Sequence, residues 1–127
     1  FIYEKNLEGR VFFLKDLPWY ELPIIYHMSQ GLIYPSIYEG FGLPILEALR
    51  CGKPVITSNL SSMPEVGGDA CIFIDPMNVE EISAAINFIY YNLELAAEVK
   101  IKAMHQVQKF NPEKMTAKMM DVYKSLR

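Results

Sequence analysis

The chain has 127 residues, of which 51% are hydrophobic and 21% charged, and it carries a formal net charge of −3. That balance suits one globular domain with its own core and excludes a disordered segment. No apolar run approaches the ~18 residues that a membrane span needs, and Phe1-Ile2-Tyr3 leads into charged residues without the basic region and cleavage site of a signal peptide.

In chain order, Glu4–Glu8 reads as a helical scrap, and four short apolar runs follow that predict buried parallel strands: Val11–Leu14, Gly31–Ser36, Pro54–Ser58 and Cys71–Asp75. Amphipathic stretches at Leu22–Ser29, Pro44–Cys51 and Ser62–Val66 alternate with them. This alternation predicts an α/β fold with a parallel sheet. Beyond the last strand the pattern is helical. Val79–Asn92 places Ile82, Ile86 and Ile89 on one face, and Glu94–Phe110 continues with Leu95, Val99 and Ala103. Asn111-Pro112 opens a last helix, Pro112–Leu126, with proline in its first turn. Its stripe of Met115, Met119, Val122, Tyr123 and Leu126 reads first as packing; left uncovered, it would favour a homodimer.

Charge is segregated. Residues 1–99 hold five Lys/Arg against thirteen Asp/Glu, whereas residues 100–127 hold seven against two. A solvated helical face is the preferred reading of the basic end, and contact with an anionic membrane is the other. Cys51 and Cys71 lack metal-ligand spacing and are expected as reduced thiols in the cytoplasm.

The chemistry concentrates in Tyr34-Pro35-Ser36-Ile37-Tyr38-Glu39-Gly40-Phe41-Gly42-Leu43-Pro44-Ile45-Leu46-Glu47-Ala48. Here a strand end passes through a glycine loop into a helix, at the edge where open α/β sheets bind ligands. Gly40 and Gly42 let the backbone approach a ligand closely. Free amides at the start of the helix suit a diphosphate. Glu39 lies in the loop and Glu47 about one turn into the helix, near the same mouth, where a helix carboxylate suits vicinal hydroxyls such as those of a ribose.

The same string resembles the signature of glycosyltransferase family 4, retaining enzymes built from two Rossmann-like domains in the GT-B fold. Its mark is two glutamates separated by seven residues, here Glu39 and Glu47. The resemblance continues through Cys51–Ser58 and Ser61–Ala70 to Ile74-Asp75-Pro76. It implies a Rossmann-like parallel sheet, an incomplete C-terminal half of a GT-B enzyme, followed by C-terminal helices over residues 79–127. The two central strands, and the Arg and Lys that hold the phosphates in the family, would lie upstream of Phe1. The implied reaction transfers a hexose from a UDP- or GDP-linked donor with retention of configuration.

Residue by residue, Glu39 matches the glutamate that contacts the transferred sugar and Glu47 the one that holds the ribose. Gly40, Phe41, Gly42 and Leu43 match the loop whose amides meet the diphosphate. Leu17 matches a position lining the nucleobase pocket, although Lys15 stands where the family usually has glycine. The family needs no metal or other cofactor, and the chain contains no Asp-x-Asp motif. In the family the acceptor site belongs to an N-terminal domain, which the resemblance implies would lie outside these residues, so the isolated chain is expected to be inactive. In the family the closing helix often crosses to that domain.

Among other readings, a non-catalytic nucleotide-sugar-binding module is the alternative. A receiver-type signalling domain lacks its acidic pair, and Asp16 stands alone. A phosphate-binding Gly-x-x-x-x-Gly-Lys-Ser/Thr is absent, and no nucleic-acid signature is present. His27 and His105 lack partners at catalytic spacing, Tyr90-Tyr91 reads as packing, Ser62 and Glu65 fit a capping box, and Gly67-Gly68 a helix stop.

Overall fold

The computed structural model describes residues 1–92 and 94–126; within this span the side chains of residues 95–97 are outside the description, Leu95 among them. Three strands, β1 (Leu32–Tyr34), β2 (Val55–Ser58) and β3 (Cys71–Ile74), form a parallel sheet in the order β1-β2-β3. Leu32 lies opposite Val55, and Val55 opposite Cys71. Every residue of β2 is buried, as the middle strand of a sheet covered on both faces must be.

Alternation along β2 divides the core. Val55 faces one layer with Ile45, Leu46, Ala48, Leu49, Met63 and Val66, which come from α2 (Leu43–Arg50) and α3 (Met63–Gly67), and with Val99 and Ala103 of α5 (Leu95–Lys109). Ile56 faces the other layer with Ile74 and Ala85 of α4 (Val79–Tyr91), joined by Ile82 and Ile89. Ile86 of the same stripe remains 39% exposed and lines a shallow apolar groove beside β1. α1 (Leu22–Met28) packs by Tyr26 against the first layer.

Helix ends follow local chemistry. Asn78 accepts from the Glu81 amide at the start of α4, and Asn111 from the Glu113 amide at the start of α6 (Pro112–Ser125). α3 stops at Gly67, and a single 3₁₀ turn over Gly68–Ala70 leads into β3. Gln106 of α5 is buried at 1% exposure and donates its amide to the carbonyls of Glu65 and Val66, at 2.7 and 3.0 Å. It thereby satisfies two carbonyls at the end of α3.

Four expectations are corrected. Val11–Leu14 forms no strand: Phe12 and Phe13 are 76% and 75% exposed, and no strand lies alongside the run among the described residues. A strand without a neighbour leaves its amides and carbonyls to water, so apolar composition alone does not extend the chain. Residues 2–6 make isolated turns instead of a helix, with Asn6 at a φ of 51°. The stripe of α6 does not pack, since that helix has no buried residue. Tyr90 and Tyr91 meet edge to face at 4.9 Å, but both rings are exposed. Among the described residues no helix is long and apolar enough to cross a membrane.

Candidate functional site

β1 ends at Tyr34 because Pro35 has no amide to continue the ladder. The chain then crosses the carboxyl edge of the sheet, and the hydroxyls of β2 and of the segment after it hold its backbone. Thr57 Oγ1 donates to the Tyr34 carbonyl at 2.9 Å, and Ser58 Oγ to the Ser36 carbonyl at 2.5 Å. Ser61 Oγ donates to the Glu39 carbonyl at 2.8 Å. Ser62 Oγ lies 3.0 Å from the Glu39 carbonyl and 2.9 Å from that of Phe41, with one proton to serve both. The capping box expected of Ser62 is therefore not made: Ser62 is the N-cap of α3 without a side-chain cap bond. Its hydroxyl secures the glycine loop instead.

Gly42 ends the loop as the N-cap of α2, at a φ of 101° that side chains rarely adopt. Among the described residues, the backbone amides of Gly40, Phe41, Gly42 and Leu43 donate to no protein acceptor. These unpaired donors stand at the positive end of the α2 dipole, with open space above Gly40.

Two carboxylates flank this loop in sequence. Glu39 Oε1 accepts from Tyr34 Oη at 2.5 Å and from Ser36 Oγ at 2.9 Å. The Tyr34 bond, then the Ser36 bond, hold the Glu39 carboxyl below the usual carboxylate range, against an opposing effect of burial. The same bond to Glu39, helped by burial, pushes the Tyr34 hydroxyl up to about 12. Glu47, in the second turn of α2, accepts on Oε2 from Tyr26 Oη of α1 at 3.1 Å. Burial first, and Glu47 second, raise the Tyr26 hydroxyl above its ordinary value. Both tyrosines pack on the same core layer.

An open groove of about 830 Å³ runs between α2 and the start of α6, and gathers Phe41, Leu43 and Glu47 with Arg50, Phe110 and Lys114. Phe41 meets Phe110 edge to face at 5.5 Å. Glu39 and Gly40 are not in its wall, and Glu39 is tied instead to Tyr34 and Ser36. Leu17 lies half-buried in the irregular segment before α1, after Asp16 at a φ of 53°. No hydrogen bond among the described residues ties it to the loop. His27 and His105 are both exposed.

Sequence reasoning did not find Tyr26, Tyr34 or Ser36 as partners of the carboxylates, nor Ser61 and Ser62 as supports of the loop. Ser36 stands three residues before Glu39, a spacing that hints at a local bond. Tyr26 lies 21 residues from Glu47 and gives no such hint. Among the described residues no group of three or more His, Cys, Asp or Glu has the placement to hold a metal ion.

Residues 1–106 match the family model described as Glycosyl transferases group 1. The chain is 40% identical over 119 residues to O-antigen chain mannosyltransferase B of Escherichia coli, covering 94% of this chain and 31% of that protein. It is 34% identical over 88 residues to O-antigen chain mannosyltransferase RfbU of Salmonella typhimurium, covering 69% and 25% respectively. The fold superposes on sucrose-phosphate synthase from Thermosynechococcus elongatus with a TM-score of 0.87 at 29% identity, over 98% of this chain and 32% of that one. The α/β arrangement is thus that of part of a GT-B glycosyltransferase. The chain spans about a third or less of the length of these relatives.

Proposed function

The chain belongs to the group 1 glycosyl transferases, and from that membership we propose that it binds the nucleotide-sugar donor of a retaining hexosyltransferase. The observation that carries this reading is the pair Glu39 and Glu47, each anchored through one oxygen, on either side of a loop with free amides at the carboxyl edge of a parallel sheet.

In this reading the amides of Gly40, Phe41, Gly42 and Leu43 receive the diphosphate, aided by the α2 dipole. Glu47 accepts the ribose hydroxyls, and Leu17 lines the base. Glu39 accepts a hydroxyl of the transferred sugar beside the reacting carbon. As the nucleoside diphosphate departs, negative charge grows on the phosphate and positive character on that carbon. Fixed amide dipoles stabilise the first and the Glu39 carboxylate the second. Transfer by this route requires no divalent metal.

The names of the relatives favour mannose as the sugar and a bacterial surface polysaccharide as the product. The acceptor would be held by a second domain of the complete enzyme. We place the reaction in the cytoplasm, with the basic end, residues 100–127, suited to the anionic face of a membrane.

The test is calorimetric titration of the full-length protein with a panel of UDP- and GDP-linked sugars, including GDP-mannose, with and without chelator. At least one donor should bind equally well in both conditions. An NMR spectrum of the product should show the donor's anomeric configuration. Failure of the whole panel to bind would overturn the assignment.

A further inference from the structure

We infer that Tyr34 and Tyr26 are positioning residues of the donor site: each gives its hydroxyl to one carboxylate oxygen, of Glu39 at 2.5 Å and of Glu47 at 3.1 Å, and so turns the other oxygen toward the ligand. The inference rests on the donor-site reading above and adds to it the parts that aim its two acids.

Three observations carry it. The first is the division of labour within each carboxylate. Tyr34 and Ser36 both donate to Oε1 of Glu39, and Oε2 has no partner among the described residues. Tyr26 takes Oε2 of Glu47 and leaves Oε1 free in the same sense. One oxygen of each acid is held, and one is left to accept a hydroxyl.

The second is the source of rigidity. Both tyrosine rings pack on the core layer formed by α2, α3, α5 and β2. The hydroxyl positions are therefore set by close-packed side chains, and a carboxylate tied to them is aimed before a ligand arrives.

The third is the charge of the tether. The ion pairs among the described residues are Phe1 with Glu4 and Lys102 with Glu98, so neither Glu39 nor Glu47 is paired with a cation. A lysine or arginine tether would orient the acid but cancel much of its field. A phenol orients it and leaves the full negative charge. That charge is what an electron-poor sugar carbon needs beside it. The Tyr34 hydroxyl, pushed up to about 12 by its bond to Glu39, stays protonated as a donor throughout the neutral range.

The experiment uses the full-length protein with glutamate carboxyls labelled by ¹³C, the Glu39 resonance being identified by its loss in Glu39→Gln. In Tyr34→Phe, which keeps the ring and removes the hydroxyl, the Glu39 titration midpoint should rise toward the ordinary carboxylate range. With GDP-mannose as donor, kcat should fall roughly tenfold, as expected for one lost bond to a charged acceptor, while KM stays within about twofold. Tyr26→Phe should do the reverse, raising KM roughly tenfold and sparing kcat.

An unmoved Glu39 midpoint in Tyr34→Phe overturns the inference, whichever donor the enzyme uses. So does a drop in melting temperature in both variants with no split between kcat and KM. Should Tyr34→Phe not fold, Ser36→Ala must still raise the midpoint by a smaller step, and no movement there is equally decisive against it. Full transfer activity in Glu39→Gln would instead refute the donor-site reading, leaving the tethers to be judged by the titration alone.

Discussion

The carboxamide of Gln106 occupies the space into which a side chain on Gly68 would have to grow. Gly68 also holds a φ of 53° and ψ of −142°, a conformation open essentially to glycine. Gly68→Ala should therefore strain the backbone and displace Gln106 from the carbonyls of Glu65 and Val66, for a loss on the order of 3 kcal/mol. Gln106→Leu should cost ~1–3 kcal/mol by leaving both carbonyls unpaired. Urea midpoints measure both; a Gly68→Ala protein as stable as the wild type would show that α5 does not lock the end of α3 in this way.

Ser62→Ala should loosen the glycine loop without unwinding α3. The hydroxyl serves the carbonyls of Glu39 and Phe41, not the first turn of its own helix. Losing one such bond costs ~0.5–1.5 kcal/mol, which corresponds to roughly a two- to tenfold weaker donor affinity. Circular dichroism should be unchanged. A loss of helix signal with donor binding intact would favour the capping role that local spacing suggests.

Glu47→Ala removes a charge-assisted bond to the ribose in the proposed complex. Nucleotide affinity in the complete enzyme should fall by ~1.5–3 kcal/mol, roughly 10- to 100-fold. Calorimetry with UDP and GDP reads it directly. An unchanged dissociation constant for both would remove Glu47 from the site.

Alkaline stability should carry the marks of Tyr34 and Cys71. Burial pushes the Cys71 thiol from 9.0 up to about 12, and the bond to Glu39 takes the Tyr34 hydroxyl from 10.0 to about 12. Each group keeps its proton longer in the folded state than in the unfolded one. Their contribution is fully present below the unfolded values, near pH 9 and 10, and is lost as pH rises toward 12. Urea midpoints against pH should decline through that window, and more shallowly in Cys71→Ala. An equal slope in that variant would rule the thiol out as a contributor.

Much of the fold was legible because local signals and tertiary packing agree. β2 is buried at every position, and an unbroken run of Val, Ile, Thr and Ser between turns is what a fully covered strand looks like. α4 and α6 begin at Val79 and Pro112, where the helical pattern in the sequence starts. The exceptions depend on partners that a sequence window does not contain. Val11–Leu14 has strand composition without a neighbouring strand among the described residues. Ser62 satisfies a capping spacing, yet two carbonyls more than twenty residues away take its proton. The acids of the candidate site were visible as Glu39 and Glu47; the tyrosines that aim them came only from the way α1 and β1 lie on the core.

Anchoring through phenols also bears on inhibition. A sugar mimic with a protonated ring nitrogen would bring its cation to Glu39, whose negative field no lysine or arginine quenches among the described residues. An iminosugar should consequently compete better than its neutral ring-oxygen counterpart. Its advantage should fade on acidification, as the carboxylate takes up a proton and the attraction between ring and enzyme is lost.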